Sequence, residues 1–143
     1  MSADPGRRRA DVEVVGLDHV QLAIPKGEEA LARLFYAELL GLRPVPKPRS
    51  LRIRGGSWFL GPGIALHLGV EEPFRPNRKA HPALLVADLE RARRAIEAAG
   101  YAVHADESGL PARRFYVDDP FGNRIELVDA RDGGFTDPRR RRG

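Results

Sequence analysis

No cysteine occurs among the 143 residues of this chain. That excludes disulfides, thiolate metal ligands and cysteine nucleophiles. Long apolar runs are missing too, since nothing approaches the roughly 20 residues of a membrane-spanning helix. The charged first residues lack the apolar core of a signal peptide, so a cytoplasmic setting with no membrane partner is expected. Histidine is scarce, at four residues.

Arginine is plentiful, but its placement matters more than its number. The sequence pI is near 9.9, yet residues 1–15 and 131–143 hold eight of the 24 Lys and Arg and only five of the 20 acidic residues. The body between them is close to neutral. Clustered terminal arginines read as two solvated, disordered arms, a basic N-terminal one (1–15) and an Arg-rich tail (131–143). Nucleic acid is therefore not the expected partner.

Between the arms the same order of elements occurs twice. Residues 17–24 alternate as a strand, with Val20, Leu22 and Ile24 on one face and His19, Gln21 and Ala23 on the other. A helix is predicted over 28–40, with Leu31, Leu34, Phe35 and Leu39 as its apolar stripe and Gly41 ending it. Residues 44–48 are proline-rich and read as irregular. Strands are predicted over 51–54, 57–60 and 64–70, separated by glycine-rich turns. After a linker (71–79), the pattern restarts with a strand over 81–86 and a helix over 89–99 capped by Asp88 and Gly100. Strands over 101–105, 113–117 and 124–128 follow. Asp119-Pro120-Phe121-Gly122-Asn123 supplies the last hairpin turn. A repeated β-α-β-β-β order over 16–70 and 80–130 makes one domain of α+β class. Two βαβββ modules are expected to curve a mixed, barrel-like sheet around a cleft, with the helices outside.

Four residues take matching places in this repeat. His19 and His81 are in the first strands, and His67 and Glu126 are in the last strands. Strand parity sends all four to the open face, away from the helices. Three imidazoles and a carboxylate on one concave surface suit a divalent cation such as Zn, Ni, Fe or Mn, with positions left for a substrate. Gln21 and Arg124 share the parity of their neighbouring ligands and are candidate contacts to a small-molecule substrate.

In Leu17-Asp18-His19-Val20, in residues 35–42 (FYAELLGL) and in residues 119–127 (DPFGNRIEL), the chain resembles the vicinal oxygen chelate superfamily. That superfamily includes glyoxalase I, methylmalonyl-CoA epimerase, fosfomycin-resistance thiol transferases, bleomycin-resistance proteins and extradiol dioxygenases. The resemblance covers about residues 16–130. It implies a homodimer and places His19, His81 and Glu126 on the two-His, one-carboxylate ligand set. His67 departs from the Glu of glyoxalases and the Gln of the epimerase, and is a fourth ligand, a proton shuttle or only a neighbour of the site. Tyr116 resembles the tyrosine that precedes the ligand Glu in extradiol dioxygenases. His67, Glu126 and Tyr116 are thus the candidate catalytic residues. The expected function is a divalent-metal-dependent glyoxalase-like lyase or isomerase acting on a small oxygen-chelating substrate. The alternatives are an extradiol-type ring-cleaving dioxygenase or a metal-free, drug-sequestering protein.

Overall fold

Each half of the chain builds its own four-stranded sheet from one parallel and two antiparallel pairings. A computed structural model describes residues 10–109 and 113–132. Most of both predicted arms therefore lies outside the described residues. Residues 10–19 precede the first strand without regular structure.

The first sheet contains β1 (Val20–Ile24), β2 (Arg43–Val45), β3 (Ser57–Gly61) and β4 (Ile64–Val70), in the order β1-β4-β3-β2. The second contains β5 (Ala83–Val86), β6 (Val103–Ala105), β7 (Arg114–Asp118) and β8 (Arg124–Asp129), in the order β5-β8-β7-β6. The first and last strands of each module pair in parallel at the sheet's edge and centre, β1 with β4 and β5 with β8. The repeat expected from the sequence is therefore present as two matching sheets.

Four local predictions are corrected. The apolar–polar alternation of Leu51 to Arg54 forms a 3-10 helix (Arg49–Arg54) rather than a strand, and Ile53 is 93% exposed. The strand that the module needs instead comes from the proline-rich segment, as β2. Pro44 is tolerated there because β2 is an edge strand, where a missing N–H breaks no interior ladder. The first helix begins as α1 (Glu29–Arg33) and continues as a π-helix over Leu34–Leu39. The wider turn shifts the buried stripe to Ala32, Phe35 and Tyr36, leaving Leu31 and Leu34 exposed. His19 and His81 lie one residue before β1 and two before β5, rather than within the strands.

The second helix, α2 (Leu89–Ala98), starts as predicted, with Asp88 accepting from the Arg91 N–H at 3.1 Å. Inward-facing residues of both sheets (Leu22, Ile24, Phe59, Leu66, Leu68, Phe115, Val117, Ile125 and Leu127) join the helical Phe35, Tyr36 and Ile96 in one core. Polar bonds lock the halves at the same junction. Tyr36 donates its hydroxyl to Asp119 at 2.7 Å, and the Asn123 side-chain amide donates to the Ala23 carbonyl at 2.8 Å. Asp119 and Asn123 are both buried. The last turn is thus pinned against the first module, with Gly122 at φ +94° as its sharp bend requires.

Candidate functional site

On the open face of the first sheet, three rings stand in a stack. His67 is paired in register with Gln21 on β1 and with Trp58 on β3. The Trp58 indole lies 3.9 Å from the His67 ring at an interplanar angle of 4°, and His19 covers the opposite face at 4.2 Å and 19°. These residues line an open pocket of about 670 Å³, together with Gln21, Asp18 and an apolar wall that includes Val45, Leu51 and Leu60. His19 Nδ1 contacts Asp18 Oδ2 at 2.7 Å, which leaves Nε2 as the free nitrogen. Partial burial and the neighbouring His19 push the His67 pKa below its usual value. Near neutral pH His67 is an uncharged base.

The open side of the second sheet carries a charged cluster instead. Ala83 of β5 is in register with Glu126 of β8, so His81, two residues earlier on the same parity, reaches the Glu126 carboxylate. His81 Nε2 sits 3.1 Å from Glu126 Oε2, while His81 Nδ1 is held 2.8 Å from the Lys79 carbonyl. Glu126 is only 6% exposed along its side chain. Its other oxygen, Oε1, accepts from Arg114 Nη1 at 2.7 Å. Arg114 is tied from behind by Asp106: Nη2 donates to Oδ1 at 3.1 Å, and Nε lies 2.8 Å from Oδ2. The hydrogen bond from Arg114 lowers the Asp106 pKa to about 2.

Tyr116, directly opposite Glu126 in the sheet, meets the His81 ring in a T-shaped contact with centroids 5.7 Å apart. Arg124 lies over the Tyr116 ring at 5.4 Å, a cation–π contact, rather than pairing with Glu126.

The structure therefore unites the sequence candidates in two groups. His19, His67 and Gln21 stand together on the first module, whereas His81, Glu126, Tyr116 and Arg124 stand together on the second. Among the described residues, no three His, Asp or Glu side chains come together as a metal-ligand group. The expected closure of all four ligands on one surface is thus not made within a single chain. Three functional neighbours were missed by sequence reasoning. Arg114 is one strand over and two positions off Glu126, a diagonal neighbour that register alone would have revealed. Asp18 was legible only as part of a motif, and Trp58 only as a residue of the 57–60 strand.

The second-sheet pair is hydrogen-bonded, and it offers two donors of the kind a divalent ion takes. Two ligands bound at right angles with metal bonds near 2.1 Å stand about 3 Å apart, and His81 Nε2 and Glu126 Oε2 are 3.1 Å apart. Both His19 and His81 have Nδ1 against an oxygen and Nε2 free of backbone, the arrangement by which outer partners orient metal-binding imidazoles.

Comparison with known proteins gives one consistent result. A family model described as a glyoxalase-like domain matches residues 20–128. "Glyoxylase I 4" of Arabidopsis thaliana is 25% identical over 129 residues, spanning 82% of this chain and 72% of that protein. A glyoxalase family protein from Bacillus anthracis superimposes with a TM-score of 0.79 at 42% identity, covering 84% of this chain and 98% of that one. The fosfomycin resistance protein FosX from Listeria monocytogenes shares the fold at a TM-score of 0.70 and 17% identity, covering 92% of this chain and 100% of its own.

Proposed function

The chain belongs to the glyoxalase-like domain family, and from that premise we propose that it is a divalent-metal-dependent lyase or isomerase acting on a small oxygen-chelating substrate. The observation that carries this reading is the His81–Glu126 pair, 3.1 Å apart and oriented from behind by the Lys79 carbonyl and Arg114. His81, Glu126 and His19 would hold the ion. When bound, the cation would polarise the substrate's oxygens and stabilise negative charge developing on them.

The chain's own groups supply the rest. Neutral His67 accepts a proton from the carbon beside the substrate's carbonyl and returns it to a neighbouring position. Arg124, stacked on Tyr116 and close in sequence to Glu126, attracts an anionic oxygen of the substrate. Tyr116 and Gln21 shape the two walls. Because His19 and the His81–Glu126 pair are not brought together in one chain, the site is completed between two copies in a homodimer. Leu60, 38% exposed on the open face of β3, and Leu85, 63% exposed on that of β5, are apolar surface for such a contact.

Mixing two variants tests metal and assembly together. His19→Ala and Glu126→Ala homodimers should each bind no ion. Unfolded together and refolded as a mixture, they should regain metal at one site per mixed dimer, because one of its two sites is then intact. Metal-free wild-type protein rejects the enzyme reading, and no recovery in the mixture rejects the shared site.

A further inference from the structure

His67 is the one member of the expected ligand quartet whose role the sequence leaves open, and its surroundings differ from those of the other two histidines. His19 and His81 each have Nδ1 held by an oxygen. His67 is held by its faces instead. Its ring is clamped between an indole at 3.9 Å and an imidazole at 4.2 Å.

That stack has a consequence for coordination. An imidazole binds a metal through a lone pair that lies in the ring plane. Two rings 4.2 Å apart and inclined by 19° have planes that intersect only on the order of 10 Å away, far beyond a metal–nitrogen bond of about 2.1 Å. One ion cannot lie in both planes at bonding distance. For His67 to join His19 on the same ion it must swing out of the stack, and Trp58, parallel to it within 4°, opposes the swing.

We propose, on the metal-site reading above, that Trp58 is a positioning residue that keeps His67 face-on to His19 and out of the coordination sphere. The ion then takes one imidazole from the first module, through His19, and His67 stays uncoordinated as the proton-carrying group beside the substrate. Flatness is the property that matters at position 58. The indole offers a broad π-face on a stiff β-strand, and a flexible side chain there would release His67 to bind metal.

Counting imidazoles tests this without turnover. Cu²⁺ is loaded into full-length protein, with His104 replaced by Gln throughout so that only three histidines remain. Pulsed electron paramagnetic resonance then counts the coordinated imidazoles. Two are expected in the parent, two in His67→Ala and three in Trp58→Ala, with Trp58→Phe restoring two by restoring a flat ring. A count of three in the parent, or a loss on His67→Ala, overturns the exclusion of His67. A count that stays at two in Trp58→Ala overturns the role of Trp58. Absence of bound copper in the parent would instead overturn the metal-site reading on which the inference rests.

Discussion

Arg114 Nη1 and Glu126 Oε1 are 2.7 Å apart, with side chains only 12% and 6% exposed. This ion pair is the floor of the second-sheet cluster, and it leaves Glu126 Oε2 directed at His81. Removing one member of a buried pair strands the other charge, which costs roughly 3–5 kcal/mol. Arg114→Met should therefore lower the unfolding free energy by about that amount in denaturant titrations. Arg114→Lys should recover part of the stability, because its ammonium can face only one of the two carboxylates. An unchanged midpoint in Arg114→Met would show that the pair is not a structural anchor.

Asp106 stands behind Arg114, and its pKa of about 2 sets an acid limit. A carboxyl depressed in the folded state contributes stability above its ordinary pKa near 3.9 and loses it as the pH falls toward 2. Acid titrations followed by circular dichroism should thus show wild-type protein losing stability across that interval. Asp106→Asn should be less stable at neutral pH and show a flatter acid limb.

His67 titrates in the opposite sense. Its folded pKa is lowered, so between that value and about 6.5 the unfolded chain binds more protons, and stability rises with pH through this window. Trp58 is the only tryptophan, so its emission isolates the event. In metal-free protein, emission should fall as His67 gains its proton, with a midpoint below 6.5. His67→Gln should remove the step. A pH-independent signal in the wild type would show that the stack does not persist in solution.

Leu85 offers a check on assembly. It is 63% exposed on the open face of β5, where the homodimer proposed above would cover it. On that proposal, wild-type protein should scatter light as a dimer and Leu85→Asp as a monomer, with the circular dichroism spectrum unchanged. Metal binding should fall with the dimer.

Much of the architecture was legible because strand parity and glycine placement are local. The prediction for 64–70 coincides with β4, and Asp88 caps α2 as read. Failures came where a local pattern had two solutions. Leu51 and Ile53 alternate with arginines, but a 3-10 turn closed by Leu51 N–H to the Pro48 carbonyl satisfies that segment without a partner strand. The π-helical turn after Arg33 rotated the buried stripe by a residue, which a 3.6-residue period cannot anticipate. At the site, parity set His67 and Glu126 opposite their core-facing neighbours on β4 and β8, whereas His19 and His81 lie just ahead of β1 and β5. It carries no information on how one sheet stands to the other, so the expected quartet became two pairs. Arg114 went unseen because a diagonal contact needs the register of β7 on β8.

One bond described above also bears on how the protein is made. The Asn123 amide closes on the Ala23 carbonyl across 100 residues of chain. During synthesis the first module leaves the ribosome well before Asn123 exists, and for that interval its Ala23 carbonyl and the Tyr36 hydroxyl have no native partner in the second module. Chains emerge at roughly 5–20 residues per second, so this half-built state lasts seconds. Despite their duplicated pattern, the two modules share buried bonds and one core, and the first cannot complete either before the final hairpin arrives.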